Sequence, residues 1–440
     1  MRARAPQPRG ERGMALLIVI VAVAVLTALA AQLAYASRVR LQLAGDARDE
    51  LRATWLAKSG VATSRLVLAF QQQIDATTSA AGGAAGGQQP GLNLNIRIWS
   101  LVPISSGLVT GLFGGGGGGG EPARHEGDPR EGPVVRQFGD FDGAFEATVD
   151  DEGAKVNAQL DMLESGGQLK PAVIGLYQLV CDPRWDPIFD REDARGRKTT
   201  RQELIVNLRD WVDDDRTTST LQAGFPGGTC NIEVASPPFV NGFGDENYAY
   251  DVGPTDERYK TKNSRFDSPD ELYLVQGFSD AVGAVFGEQL TVYLPKDAKR
   301  TLDPRNPSGL LELAKAVAYP PGQAVLYDPE FRTRLQKAVM EQTLGGVLGL
   351  SPAAFAATLQ ALGVQVSSDL TTPNNPRNPL TDRSYVYRIR SVGSAGQVNR
   401  TLDVVVTFDP NQNRSETTTG TIPSAADGTS VGRVLRWREE

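Results

Sequence analysis

This 440-residue chain holds one histidine and two cysteines. That scarcity removes whole classes of chemistry. Two cysteines and one distant histidine do not make a four-ligand zinc site. The histidine, His125, sits in PARHEGD just after a glycine run. A base in such a segment is poorly held for a nucleophile–histidine–acid relay. No glycine run is followed by lysine and then serine or threonine, so a phosphate-cradling loop is missing too. Positive charge is in deficit, with 45 Lys and Arg against 52 Asp and Glu, a net charge of -7 and a pI near 5.1. Such a chain lacks the basic face that nucleic acid requires. The expectation is a protein that is not an enzyme, carries no organic cofactor and binds no nucleic acid.

One further absence is local. From Met14 to Ala36 no residue is charged, and Thr27 and Gln32 are the only strongly polar side chains. A bilayer-crossing helix needs about 20 apolar residues. Arg2, Arg4, Arg9 and Arg12 precede this run and favour a cytoplasmic N-terminus. The apolar run is too long for a secretory signal peptide. A basic leader ending in a glycine directly before an apolar run resembles a class III prepilin signal. That resemblance implies cleavage between Gly13 and Met14 and methylation of the new terminus. A plain signal-anchor helix is the alternative. In prepilins the fifth position after the cut is a glutamate that pairs with a neighbour's amine; here it is Ile18. An unpaired carboxylate in hydrocarbon costs about 2.5 kcal/mol or more, so an apolar residue suits a subunit with no neighbour's amine to meet.

The helix is expected to continue beyond the membrane. Leu43, Ala47, Leu51, Trp55, Val61, Leu66 and Phe70 recur at helical spacing and read as the face packed on a sheet. Residues 77–131 turn glycine-rich and low in complexity, which reads as a variable loop. Within it LNLNIRIWSLVP alternates like a strand. AFEATVDDEGAKVN, 144–157, reads as a hairpin turning at Asp151-Glu152-Gly153. From Ala158 to Thr371 helical patterns dominate. RQELIVNLRDWVDDD places Leu204, Leu208, Trp211 and Val212 on one face, and SPDELYLVQGFS opens with Ser268 at an N-cap position. NPSGLLELAKAVA and FRTRLQKAVMEQTL read as helices too. SYVYRIRSVGSAGQVNRTLDVVVTF reads as two strands joined around Ser394–Gly396, and VGRVLRWRE as a last one. The expected insertion is roughly 200 residues, the size of a domain. DPNQNRSETTTG, 409–420, imitates a calcium loop, but Arg414 stands where glycine is needed and Gly420 where glutamate closes the loop.

Taken in order, these motifs resemble the large minor pseudopilins of type II secretion, the general secretion pathway protein K family. The carriers are the leader without glutamate, DDEGAKVNAQ, LRDWVDDD, DENYAY, YKTKNSRFDSPDELYLVQGFS, and the terminal YRIRSVGSAGQVNRTLDVVV and VLRWRE. LTVYLPKDAKRTLDPRNPSGLL occupies the place of a family segment but departs from its pattern, and the glycine-rich loop is long. The resemblance implies an α+β, pilin-like fold: a long N-terminal transmembrane helix packed on an antiparallel sheet, with a helical domain inserted between strands. The parts would be a leader (1–13), a membrane helix (14–36), its periplasmic continuation (37–76), the loop (77–131), sheet (132–157), helical insertion (158–380) and C-terminal strands (381–440). It implies a subunit at the pseudopilus tip, initiating and capping assembly for export of folded proteins. Implied partners are the minor pseudopilins I and J, other pseudopilins, the prepilin peptidase and the inner-membrane platform. The subunit would cross the inner membrane once, N-terminus cytoplasmic and bulk periplasmic. A minor pilin of a type IV pilus and a membrane-anchored periplasmic binding protein are the alternatives.

Asp210, Asp213, Asp214 and Asp215 cluster at a helix end, followed by Asp245, Glu246 and Asp251. Acidic groups there oppose the helix dipole. Family members carry calcium in the helical domain, and the matching positions are Asp213, Asp215, Asp245 and Glu246. A solvated acidic surface is the alternative. Cys181 and Cys230 both follow the membrane run, on its oxidising side. A bridge between them would close a loop of about 50 residues, contributing on the order of 4 kcal/mol; two free thiols are the alternative.

Overall fold

The computed structural model describes residues 11–84, 96–101, 104–107, 143–161, 169–192, 196–226, 230–250, 258–296, 298–372, 375, 377–409 and 431–440. The first ten leader residues, most of the glycine-rich stretch, His125, Asp251 and nearly all of 409–420 lie outside them. In chain order the helices are α1 (Glu11–Ala84), α2 (Ile98–Leu101), α3 (Leu169–Val180), α4 (Asp186–Phe189), α5 (Arg201–Val212), α6 (Asp280–Phe286), α7 (Pro307–Val317), α8 (Phe331–Gln342), α9 (Pro352–Ala361) and α10 (Ser368–Thr371). The strands are β1 (Ile104–Ser105), β2 (Ala144–Asp151), β3 (Val156–Asn157), β4 (Thr217–Gly224), β5 (Glu233–Asp245), β6 (Leu290–Thr291), β7 (Arg300–Thr301), β8 (Leu380–Thr381), β9 (Val386–Ala395), β10 (Val398–Thr407) and β11 (Arg433–Glu439). The class is α+β. The main sheet has the order β1-β2-β9-β10-β11. Everything from Glu152 to Tyr385 is inserted in sequence between β2 and β9.

Two compact units divide the chain: Met1–Gly60, Ser105–Glu146 and Val392–Thr401 form one; Val61–Ile104, Ala147–Ser391 and Leu402–Glu440 form the other. In the first, α1 presents Ala53, Leu56 and Ala57 to the strand residues, all nearly without exposed surface. A Cβ at Gly393 would collide with the Ala53 carbonyl and the Ala57 amide. Small residues on the helix and glycine on the strand therefore set how closely they approach. Gly393→Val is expected to cost about 2–4 kcal/mol. A denaturant melt of the detergent-solubilised chain measures it, and an unchanged midpoint would refute the contact.

The buried face of α1 is not the one the spacing of large apolar residues indicated. In the second unit Val61, Ser64, Leu68 and Gln71 continue the buried row. Leu43, Leu51, Trp55, Leu66 and Phe70 are more than half exposed, and of the expected stripe only Val61 is buried. The close approach at Gly393 selects the small side of the helix, and the bulky side is left outward. The segment from Leu16 to Ala36 is exposed as well, and the most apolar window of the helix has a mean hydropathy of 2.8.

The second unit holds two hydrophobic clusters. One gathers α3, α5, α6 and β5 around Leu176, Ile205, Leu208, Trp211 and Phe286; the other gathers α7, α8 and α9 around Phe331, Leu335 and Phe355. The junction entering this unit is DDEGAKVN, and it is not a hairpin. The Asp151 side chain accepts from the Gly153 amide and caps a single 3-10 turn. β3 then pairs in parallel with β6 instead of folding back on β2. Glu152 is fully buried between Lys155 and Arg388, 2.7 Å from each. Burial alone would raise its pKa; these two cations outweigh burial and hold it below the ordinary value. Further expectations change here. Residues Pro269–Leu274 form a 3-10 helix without a side-chain cap from Ser268, and Ile98–Leu101 is a helical turn rather than a strand. The insertion also contains the β4–β5 hairpin, which helical periodicity did not indicate.

Candidate metal centre

The centre forms where α5 ends. Thr200 caps the start of α5 and exchanges hydrogen bonds with Glu203 in a capping box. Leu204, Ile205, Leu208 and Trp211 anchor the helix in the core. With that face fixed, Asp210 and the C-terminal cap residue Asp213 are carried inward, 4% and 6% exposed. They are three residues apart and so share a helix face. The chain then runs through the β4–β5 hairpin and returns: Thr217 pairs with Asp245, and the Glu246 amide donates to the Arg216 carbonyl. Asp245 caps the next 3-10 turn, which delivers Glu246, 4% exposed, to the end of α5.

One carboxylate oxygen from each of Asp210, Asp213 and Glu246 lies within 4.8 Å of the others. Asp210 accepts from the Ser219 amide at 2.9 Å, and Glu246 from the Thr261 hydroxyl at 3.3 Å. The Arg209 guanidinium lies 3.3 Å from Asp213. Two oxygens, Asp213 Oδ1 and Glu246 Oε1, are buried without a hydrogen-bond donor. Burial, reinforced by the neighbouring carboxylates, pushes Asp213 up to about 6 and Glu246 up to about 8; Asp210 is also raised, chiefly by burial. Three buried acids facing one arginine must take up protons or a cation. All the converging donors are oxygens, the set a hard cation such as calcium takes. The two orphaned oxygens are what a metal would satisfy, so the residues fit calcium.

The four positions expected as ligands separate. Asp213 and Glu246 converge. Asp215 is exposed and accepts from the Thr217 amide at 2.6 Å; Asp245 is exposed and accepts from the Asn247 amide at 2.9 Å. Both lie outside the convergent trio, whose third member is Asp210. Its signal was its spacing of three from Asp213 on an amphipathic helix. Around the trio, Trp211 stacks on Phe266 with ring centres 6.3 Å apart and meets Tyr250 edge-on at 5.7 Å.

The other expected positions lie elsewhere. Gly13 and Met14 fall in the first turns of α1, and Ile18 is 65% exposed on it. Cys181 and Cys230 form a disulfide with Cα atoms 5.1 Å apart, tying the end of α3 to the segment entering β5. The divergent KRTLDPRNPS stretch supplies β7, paired in parallel with β8, and the Asn306 cap of α7.

No family model and no curated protein matches the chain. Among solved structures, the chain is similar to one in the GspK-GspI-GspJ complex from the enterotoxigenic Escherichia coli type 2 secretion system. Identity is 15%, covering 71% of this chain and 84% of that one, with a TM-score of 0.40.

Proposed function

We propose that this chain is a pilin-type subunit, held in the membrane by the first part of α1. More particularly, we propose that it is the large minor pseudopilin K of a type II secretion system. The observation that carries the reading is a single 74-residue helix. Its stretch from Leu16 to Ala36, uncharged and exposed, runs without a break into a segment packed on strand residues. The motif order of the insertion supports the narrower assignment. In this reading the chain is cut between Gly13 and Met14 by the prepilin peptidase and methylated there. Its insertion lies in the periplasm, and it joins the minor pseudopilins I and J on the inner-membrane platform. The outward apolar row of α1, including Trp55 and Phe70, offers their helices a surface that water disfavours. Ile18 needs no neighbour's amine, which suits a tip position that starts and caps the filament. Asp210, Asp213 and Glu246 would hold calcium, which would tie the end of α5 to the β5 turn; the role is structural and no catalysis is assigned.

Gold labels attached within residues 160–370 test the assignment. They are expected at one end of isolated pseudopili. Labels spread evenly along the shaft would overturn the tip position.

A further inference from the structure

Between the two hydrophobic clusters of the second unit lies a cleft of 330 Å³. That is within the range of ligand-binding pockets, at its small end. Its apolar lining comes from both clusters: Ile174 of α3, Ile232 and Val234 at the start of β5, Val317 of α7 and Leu370 of α10. Three cations line it as well: Lys170 of α3, Lys315 of α7 and Arg377 from the connection between α10 and β8. In a chain of net charge -7 this is a local reversal of sign.

None of the three forms an ion pair with a described carboxylate. Lys315 is the informative one. Its ammonium lies 4.6 Å from the centre of the Tyr327 ring, and burial lowers its pKa, outweighing the pull of the Asp182 and Glu312 carboxylates. A ring face offsets only part of what a half-buried cation loses in hydration. Two carboxylates share the lining. Asp369 already accepts from the Asn375 side-chain amide at 2.8 Å. Glu233 is exposed at the start of β5 and makes no ion pair with a described cation. The cleft thus combines an aliphatic floor with positive groups that hold no carboxylate in direct contact, and Asp182 and Glu312 offset the charge of Lys315 only in part. A low-dielectric wall strengthens their field toward an incoming anion.

We propose that this cleft binds an extended acidic segment of a partner protein, in which an aliphatic side chain stands between carboxylates. The aliphatic group lies on the floor, one carboxylate meets Lys315, and the next meets Lys170 or Arg377. Three cations carried by separate parts of the chain favour an internal segment with several carboxylates over a single peptide terminus. The site is independent of the filament reading and of the metal centre.

Calorimetry on the full chain in nanodiscs, with empty nanodiscs as reference, tests it. The probe is acetyl-Asp-Leu-Asp-Leu-Glu-amide, compared with acetyl-Asn-Leu-Asn-Leu-Gln-amide and with acetyl-Gly-Leu-Leu bearing a free carboxylate. The acidic peptide is expected to bind at least about tenfold more tightly than either, and more weakly in high salt. Lys315→Met keeps the aliphatic stem and is expected to lose about tenfold in affinity, while its melting temperature stays level or rises. Arg377→Gln, on an exposed residue, is expected to lose a few-fold without touching the fold. Preference for the free terminus would replace the acidic segment with a C-terminal one. Equal binding of acid and amide peptides, unchanged affinity in Lys315→Met, or no binding at millimolar peptide would each overturn the proposal.

Discussion

Gly13→Leu is expected to leave the chain at full length in the membrane and to abolish secretion. The helix α1 begins at Glu11 and so runs through Gly13 without a break. A protease acting there must open a helix turn to reach the peptide bond. Glycine is the residue whose helical state is weakest, by about 1 kcal/mol relative to alanine, and it has no side chain to obstruct a cleft. Leucine removes both properties. The uncut chain keeps Arg2, Arg4, Arg9 and Arg12 attached to the end of a helix that must enter a bundle of apolar helices. Each arginine resists leaving the cytoplasmic face, so the leader holds α1 at a fixed depth. Intact-mass spectrometry of the purified chain reads the outcome. The parent should begin at a methylated Met14 and the variant at Met1. A variant matured normally would count against the whole pilin reading, because the cut would then not depend on the glycine; a parent that begins at Met1 would point to a plain signal-anchor helix.

What was legible in the sequence was what period and composition encode. α1, α5, α7 and α8 follow from apolar spacing, and the β9–β10 hairpin from strict alternation closed by Gly396, whose φ of 57° suits glycine. What was not legible depends on distant partners. β3 with β6, and β7 with β8, are two-residue parallel pairs; nothing within so short a run announces a partner so remote in sequence. The β4–β5 hairpin has a polar first strand, TTSTLQAG, and prolines at 237 and 238 in the second. Much of it is exposed, so it shows no clean alternation of apolar and polar residues. Residue size alone points to the wrong face of α1. Helix-to-strand contact at Gly393 rewards alanine instead. The acidic cluster at the end of α5 was legible as a cluster. Which of its members turn inward was not, because the return of Glu246 depends on the register of the unforeseen hairpin.

The Asp210, Asp213 and Glu246 trio should make stability depend on pH and calcium together. Unfolded carboxyls titrate near 4, whereas Asp213 is raised to about 6 and Glu246 to about 8. Between those limits these two sites hold more protons in the folded chain than in the unfolded one, so their contribution to stability falls as pH rises from about 4 to about 8. After allowing for solvent screening, the loss is on the order of 2 kcal/mol. Calcium binds the deprotonated form and displaces those protons, so its effect should grow over the same interval. At a hundredfold excess over its dissociation constant it adds about 2.7 kcal/mol, a rise of roughly 3–4 °C in melting temperature for a chain of this size. Thermal melts of the chelator-washed full chain in detergent, at pH 5 and pH 8 with and without millimolar calcium, measure both effects. Asp213→Asn combined with Glu246→Gln separates this centre from an ordinary acidic surface. Removing two buried charges should raise the metal-free melting temperature at pH 8, flatten the pH dependence and abolish the calcium response. Loss of stability in the double variant at pH 8 without metal would mean that the carboxylates support the fold by hydrogen bonding. A parent chain indifferent to calcium at pH 8 would show that protons alone satisfy the cluster.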